Sequence, residues 1–454
     1  MDASVREREP RPGLLILTIL MGTALVPINS TMIAVDLPDI ARSLAHSLAA
    51  TVWVVSVYLI IMAVVQPIAG RAGDAHGHRR MFVGGLAVFL AGSLLAATSD
   101  TLVSLVAFRG LQALGAGIAG PNGTALLRRL LSDRLPRVLG TVGLVQGLGA
   151  ASGPLLGALL IARWGWNAIF WVNVPVLTLA LVLALVVLPS DPAVSSRRMD
   201  IRGAVILAVS LVALTGAIRA GRDAPVLLPL SALLAVWFVR DQRRGSDPLM
   251  DVSLFRHRAF RSANLGILLQ NFLMYTVMLA TPVLLTRQHR ALTETGGLLL
   301  LFSLTMSAMS WAGGRLVGRT SRAALVGAGF GVSILAFAAV AWVLPLASPL
   351  ADAAWMVVAG AGSGIGGVAI QATTLQSVPR SRAGMAAGIY ATFRYLGSTL
   401  AAAVLAALAG APATWLALLL AAALLGLGIA PGFRGFRPEA ADAAVSGSRS
   451  STAP

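Results

Sequence analysis

Long apolar stretches recur along the whole chain, and only short polar segments separate them. About 20 consecutive apolar residues form a helix that can cross the hydrocarbon core of a bilayer. The pattern predicts an all-α polytopic membrane protein with fourteen transmembrane helices, of which the seventh and eighth are the shortest. The predicted spans lie near residues 13–34, 49–69, 80–99, 102–126, 138–161, 168–189, 202–219, 224–239, 262–285, 296–314, 323–346, 353–375, 384–408 and 412–430.

Two polar segments divide this row of spans. Pro189–Arg202 contains two prolines and a Ser-Ser-Arg-Arg run, and Asp241–Arg261 is a second polar loop. We therefore predict a cytoplasmic N-terminal tail, a six-helix bundle, a linker with two additional spans, a second six-helix bundle and a disordered cytoplasmic tail. In that order these regions cover residues 1–12, 13–189, 190–261, 262–431 and 432–454.

Composition and charge support a membrane location. The chain is 57% hydrophobic and 12% charged, with a mean hydropathy of +0.82, whereas soluble domains carry about 25% charged residues. All 35 basic residues are arginine, and the formal net charge is +17. With the N-terminus inside, 27 arginines fall on the inner side and six on the outer side, and Arg109 and Arg394 lie within spans. The positive-inside rule accounts for this charge, predicts a plasma-membrane protein with both termini in the cytoplasm, and argues against a nucleic acid partner.

The apolar stretch at residues 140–158 is rich in glycine. Gly149, Gly153 and Gly157 recur every four residues and share one helix face, and Pro154 follows Gly153. A glycine face lets a second helix approach closely in lipid, and proline removes one helical hydrogen bond and permits a bend. This helix is predicted to pack tightly and to take part in conformational gating. Ordinary packing by small residues is the alternative.

A turn rich in glycine and arginine follows the second span. It runs Gly70-x-x-x-Asp74-x-x-Gly77-x-Arg79-Arg80. The glycines permit a tight turn, and Asp74 is placed to favour the N-terminus of the next helix and to pair with nearby arginines. We predict that this turn locks and releases two bundles, and a solvated basic loop is the alternative. A fainter copy without the acid, Gly314 to Arg322, follows the tenth span and indicates repeated halves with a substrate site between them.

The turn resembles the loop signature between the second and third spans of the major facilitator superfamily. Other segments resemble the fourteen-span drug:proton antiporter branch of that superfamily, and they occur in its order. They are Trp53-Val-Val-Ser-Val-Tyr58-Leu59, Arg109-Gly-Leu-Gln112-Ala-Leu-Gly115, Gly140-x8-Gly149-x3-Gly153-Pro154-x2-Gly157, Trp166-Asn-Ala-Ile-Phe170-Trp-Val-Asn173 and Gly384-x-Ala386-x-Gly388. The resemblance implies the major facilitator fold, with two six-helix bundles and two extra linker spans, and multidrug or antibiotic efflux.

The first span departs from the pattern of that branch. Asn29 stands where the branch has an acid, and Asp36 lies seven residues further on, about 10 Å along nearly the same helix face. Arg109 lies about two turns into the fourth span, where an arginine needs a partner or a water-filled cavity. We predict that Asp36 and Arg109 face each other and couple transport to protons. A solvated helix-end acid and a structural arginine are the alternative.

Six polar residues inside or near the spans are predicted to contact substrate, although each could instead bridge helices. They are Asn29, Gln112, Gln146, Asn271, Tyr275 and Arg394. Because acids are scarce inside the spans, a neutral, zwitterionic or anionic amphiphile is expected rather than a multiply charged cation.

The predicted function is proton-coupled export of drugs or amphiphilic secondary metabolites. A proton-coupled uptake symporter is the alternative, since the fold does not set the direction. A receptor or an intramembrane enzyme has less support, because the chain lacks cysteine and no histidine lies well inside a span. We expect no metal and no cofactor, a monomer, and three partners: the substrate, protons and the bilayer.

Overall fold

A computed structural model describes residues 12–51, 53–190, 200–219, 224–245, 248–287, 292–343, 348–407 and 412–436. All regular structure within these ranges is helical. Most of both predicted tails and most of the Pro189–Arg202 segment lie outside the described residues.

The helices follow the predicted order of spans. The first half contains α1 (Pro12–Ser43), α2 (Leu48–Thr51), α3 (Trp53–His76), α4 (His78–Ala97), α5 (Leu102–Leu130), α6 (Leu135–Trp164), α7 (Ala168–Trp171) and α8 (Asn173–Val187). Between the halves lie α9 (Ile201–Arg219) and α10 (Ala224–Arg244). The second half contains α11 (Arg258–Arg287), α12 (Leu292–Leu316), α13 (Arg322–Val343), α14 (Pro349–Ile365), α15 (Gly367–Gln376), α16 (Ala383–Ala407) and α17 (Pro412–Ile429).

Every predicted span falls on one of these helices, or on the successive pairs α2–α3, α7–α8 and α14–α15. Among the described residues, ten helices are long and apolar enough to cross a membrane. The prediction of an all-helical membrane protein is therefore confirmed, while the count of fourteen spans stays a prediction.

The second half repeats the packing of the first. In the first half α1 packs on α6, α4 packs on α5, and α8 packs on α4. In the second half α11 packs on α16, α13 packs on α14, and α17 packs on α13. Each of these helices has a counterpart in the other half, which is the architecture of transporters built from repeats.

The two helices between the halves form a peripheral pair. They pack on each other, and α9 also lies against α3. The Ser210 hydroxyl donates a hydrogen bond to the backbone oxygen of Ser231, at 3.3 Å. The outward side of α10 carries exposed apolar residues, including Leu233 and Trp237. Such a surface suits contact with lipid.

Two local structures in the first half position its polar side chains. α5 begins with a capping box, in which Thr101 accepts a hydrogen bond from the Ser104 N–H at 3.2 Å and its own N–H donates to the Ser104 hydroxyl at 3.3 Å. This start places Arg109 about two turns into the helix. Between α3 and α4, Gly77 has φ 101°, a left-handed conformation that favours glycine.

Candidate functional site

The two halves meet along a closely packed seam at one end of the molecule, called here the inner end because it holds the Asp74 turn. On one side of the seam, α3 lies against α16. A Cβ atom added to Gly70 would overlap the carbonyl oxygen of Gly384, and one added to Gly388 would lie 2.7 Å from the Cα of Pro67. The two backbones touch here, so a larger residue does not fit.

Asp74 caps a helix of the other half. Its carboxylate accepts hydrogen bonds from the backbone N–H groups of Gly384, at 2.9 Å, and Met385, at 2.8 Å. A carboxylate at this position satisfies N–H groups that the helix leaves unpaired, and it interacts favourably with the helix dipole. The prediction that Asp74 favours the next helix, α4, is wrong in this respect. The helix that it caps is α16, 310 residues further along the chain, because tertiary packing places that N-terminus beside the turn.

His78 joins the same network at the start of α4. Its Nε2 lies 3.2 Å from an Asp74 carboxylate oxygen, and its Nδ1 lies 2.9 Å from the side-chain oxygen of Asn122. The Asn122 amide nitrogen donates to the backbone oxygens of Ala69 and Ile118, which fixes the orientation of that side chain. Both ring nitrogens of His78 therefore lie beside side-chain oxygens, one from Asp74 and one from Asn122. This role was not predicted, because His78 lies outside the predicted span interiors.

On the other side of the seam, α6 lies against α12. A Cβ added to Gly140 would lie 3.1 Å from the Cα of Gly314, and one added to Gly143 would lie 2.7 Å from the hydroxyl oxygen of Ser310. Gly147 faces Ser307 in the same way. These glycines are three and four residues apart, so they form one face of α6.

Three other glycines of α6 were predicted to act in gating. A Cβ added to Gly149 would lie 2.6 Å from Cγ1 of Ile28, so this glycine packs against α1 within its own half. Gly153 and Gly157 are buried, and α6 continues through Pro154, whose side chain lies outside the described part. The sequence predicts that this helix packs tightly, and its contact with α12 uses Gly140, Gly143 and Gly147.

Further arginines act at the inner end. Arg128 donates from Nε to the backbone oxygen of Leu375, at 3.3 Å, and Arg380 donates to the Ser132 hydroxyl, at 2.6 Å. Both bonds join the two halves, and sequence analysis had counted these residues only as inner-side charge. Of the two arginines predicted to act in the turn, Arg79 donates to the backbone oxygen of Leu185, at 2.6 Å, within the first half. Arg80 is exposed at the start of α4.

Arg109 is enclosed in the outer part of the first half, and only 1% of its surface is exposed. Its guanidinium donates to the backbone oxygen of Val54, at 3.4 Å, and to the side-chain oxygen of Gln112. It lies 4.3 Å from the ring centre of Tyr58 and 5.8 Å from that of Phe170. Neutral acceptors and aromatic faces thus replace water around this cation. Gln112 is itself held by a 2.7 Å hydrogen bond to the Ser93 hydroxyl.

The predicted partner of Arg109 is only partly described. Asp36 belongs to α1, and α1 packs against α5. The side chain of Asp36 lies outside the described residues. The Asp36–Arg109 pair therefore stays a prediction.

Arg394 lies half-buried near the middle of α16, surrounded by tyrosines. Its guanidinium is 5.3 Å from the ring centre of Tyr395, and it interacts electrostatically with Tyr390 and Tyr275. From α11, the Asn271 amide donates to the backbone oxygen of Arg394, at 2.9 Å, and to the Ser398 hydroxyl, at 2.8 Å. Three of the residues predicted to contact substrate, Asn271, Tyr275 and Arg394, therefore belong to one group of side chains.

The two interior arginines are connected across the halves by tyrosines. All four tyrosines of the chain lie at these arginines, one at Arg109 and three at Arg394. Tyr58 of α3 and Tyr395 of α16 are within electrostatic range of each other. We call this group the central cluster: Arg109, Tyr58, Tyr395, Arg394, Tyr390 and Tyr275. It combines two cations with aromatic faces and phenol hydroxyls, which suits it to hold an anionic or aromatic group.

The other predicted contacts have different surroundings. Asn29 and Asn173 each donate an amide hydrogen bond to the other's side-chain oxygen, both at 2.8 Å, and Asn29 is fully buried. In this conformation Asn29 bridges α1 and α8, the alternative role left open by the sequence. Gln146 is half-buried on α6. Within the described ranges, no group of three or more His, Asp or Glu side chains could hold a metal ion.

Comparison with known proteins extends these observations. The family description of the Major Facilitator Superfamily matches residues 19–402. The chain is 38% identical over 429 residues to the uncharacterized MFS-type transporter YvkA of Bacillus subtilis, which covers 92% of this chain and 96% of YvkA. It is 31% identical over 400 residues to the multidrug resistance protein Stp of Mycobacterium tuberculosis, covering 85% and 73% of the two chains. It is 29% identical over 413 residues to the tetracenomycin C resistance and export protein of Streptomyces glaucescens, covering 88% and 76%.

A solved structure has the same fold. The crystal structure of the human organic anion transporter MFSD10 (TETRAN) matches 93% of this chain and 99% of its own, with a TM-score of 0.61 and 20% identity. The family match, the repeated halves and the apolar helices agree with one another. The chain is thus a multi-pass membrane transporter, not an enzyme, and it belongs to the Major Facilitator Superfamily.

Proposed function

We propose that this protein exports amphiphilic drugs or secondary metabolites across the plasma membrane by proton-coupled alternating access. The observation that carries the proposal is the central cluster, which has members in both repeated halves and lies beyond a closed inner end. A site at that position can open to each side in turn when the halves rock against each other. The export and resistance proteins among the relatives support the outward direction.

The inner end provides the gate of this cycle. Its contacts are backbone to backbone at Gly70 and Gly384, and charge to helix N-terminus at Asp74. Such contacts exist in one arrangement of the halves and are lost when the halves separate. The described conformation then corresponds to the state that is closed toward the cytoplasm. In this proposal the protein is a monomer with fourteen spans, and both termini lie on the cytoplasmic side. This orientation rests on the arginine distribution.

The substrate proposed for the central cluster is an anionic, zwitterionic or neutral amphiphile with an aromatic part. Arg394 is half-buried, so it can reach a ligand from the space between the halves. Two interior arginines repel a multiply charged cation. Tyr275 and Tyr395 are also partly exposed and offer ring faces for stacking.

Proton coupling is assigned to Asp36 with Arg109. Of the 18 acids, Asp36 is the one that the sequence prediction places closest to a span interior, and it lies within the long helix α1. An adjacent arginine favours the charged carboxylate and desolvation favours the neutral one. Rearrangement around Arg109 during transport would change this balance and move a proton.

Inside-out vesicles from a host without other drug pumps provide the test. We expect the vesicles to accumulate an anionic aromatic dye when a proton gradient is present, and to accumulate little of a dicationic dye. An uncoupler should abolish the accumulation of either dye. Asp36→Asn should abolish proton release driven by substrate. Asp39→Asn is the matched control, because Asp39 lies three residues further along α1 and pairs with exposed Arg42.

Three outcomes would contradict the proposal. Undiminished proton release in Asp36→Asn would exclude Asp36 as the coupling acid. Proton and dye movement in the same direction would favour the uptake symporter, and preferred transport of the dicationic dye would overturn the substrate class.

A further inference from the structure

A polar cavity lies at the inner end, outside the central cluster. Its volume is about 740 Å³, and its lining includes Arg71, Arg243, Arg256 and Arg382 together with Asp251. Ligand-binding cavities typically have volumes of roughly 300 to 1,000 Å³. Among its described lining residues, arginines outnumber acids by four to one.

Three parts of the chain form the walls of this cavity. Arg71 follows Gly70 on α3, Arg243 lies in the last turn of α10, and Arg382 immediately precedes α16. Arg256 belongs to the short segment between α10 and α11. The cavity therefore joins the linker of the two extra helices to both elements of the α3–α16 seam.

The linker wall has fixed contacts. The Gln242 side chain donates to Asp200, at 2.6 Å, and accepts from the backbone N–H of Met250, at 2.9 Å. Phe255 packs against Phe260 and Phe393, with ring centres 5.2 and 5.6 Å apart. Arg382 donates to Asp251, at 2.8 Å. Hydrogen bonds, ring packing and an ion pair therefore fix the wall that carries these arginines.

We propose that this cavity binds a phosphate-bearing anion, such as the headgroup of an anionic phospholipid, and that the bound anion holds the inner end closed. Arginine is suited to phosphate because its fork of N–H donors matches the phosphate oxygens. Basic pockets beside membrane helices on the cytoplasmic side are a recurrent feature of anionic lipid recognition. The exposed apolar surface of α10, including Trp237, places the cavity next to the lipid.

Binding can be tested without transport, so the result is independent of the export proposal. Purified protein would be titrated with phosphatidylglycerol and with phosphatidylcholine, and retained lipid would be counted by native mass spectrometry. The test variant is Arg243→Gln with Arg256→Gln. The control is Arg240→Gln with Arg244→Gln, which removes the same charge from exposed positions of α10 outside the cavity.

We expect phosphatidylglycerol to bind in preference to phosphatidylcholine, and the test variant to bind it about tenfold more weakly, because two charge-assisted contacts are lost. The control should bind as the unmodified protein does. Equal binding by both double variants would overturn the proposal. Competition with inorganic phosphate and glycerol 3-phosphate identifies the source of the anion. If these compounds displace the bound lipid and phosphatidylglycerol is not preferred over phosphatidylcholine, the site is assigned to a soluble phosphate.

The effect on the inner end has its own measurement. The chain has no cysteine, so Ser307→Cys on the α6–α12 seam provides a unique thiol. We expect phosphatidylglycerol to slow maleimide labelling of this thiol, and to do so less in the Arg243→Gln, Arg256→Gln background. Labelling rates unaffected by the lipid would contradict the closing role.

Discussion

The inner seam and the central cluster both have members in the two halves, but they are built from opposite kinds of residue. At the seam, glycines bring backbones together, and Asp74 bonds to main-chain N–H groups. At the centre, arginine guanidinium groups lie over tyrosine rings. The seam therefore depends on how closely the backbones approach, whereas the centre depends on charge and aromatic faces. In the proposed cycle, closing belongs to the seam and recognition to the central cluster.

Adding one methyl group to the seam should have the largest effect. A Cβ at Gly384 would overlap the carbonyl oxygen of Gly70. The overlap can be relieved only if one of the two backbones moves. We expect Gly384→Ala to lower transport by up to about 100-fold, since overpacking costs up to about 3 kcal/mol, and to increase maleimide labelling of Ser307→Cys. Gly120→Ala is the control, because a Cβ there meets no atom within 4 Å. Normal transport by Gly384→Ala would show that the seam tolerates separation.

Removing a cation from the centre should have an intermediate effect of a different kind. Arg394 is half-buried, so Arg394→Gln should fold normally but lose a charge-assisted contact with an anionic substrate. We expect KM for an anionic dye to rise about tenfold, with little change in KM for a neutral dye and in Ser307→Cys labelling. Kinetics in vesicles measure this, and an equal rise for both dyes would contradict recognition of charge at Arg394.

Weakening the cap on α16 should have the smallest effect. Asp74→Asn keeps the shape of the side chain but loses its charge, which is worth about 1 kcal/mol at a helix N-terminus. The open inner end should become about fivefold more populated, seen as faster Ser307→Cys labelling with unchanged KM. Asp133→Asn, an exposed acid at the same end, is the control. A change in KM without a change in labelling would place Asp74 in recognition instead of closing.

Local patterns along the chain were sufficient to predict the helices. The apolar stretches anticipated each long helix, including α9 and α10, whose predicted spans were the shortest, because crossing a bilayer requires about 20 apolar residues wherever the segment lies. The sequence is also sufficient to single out residues that are energetically costly inside a membrane, because their residue type alone identifies them. Arg109 and Arg394 were singled out because they are arginines inside spans, and the structure places both in the central cluster.

Tertiary packing alone decided which residues meet. The sequence predicts that Asp74 favours the N-terminus of α4 and that Gly149 takes part in gating. In the structure, Asp74 instead caps α16, and Gly149 packs against α1. The sequence leaves Asn29 as either a substrate contact or a bridge between helices, and in the structure its amide is paired with Asn173. Hydropathy and charge report how a segment meets lipid and water, and both are local properties. The contacts between segments hundreds of residues apart depend on how the halves pack, which no local pattern records.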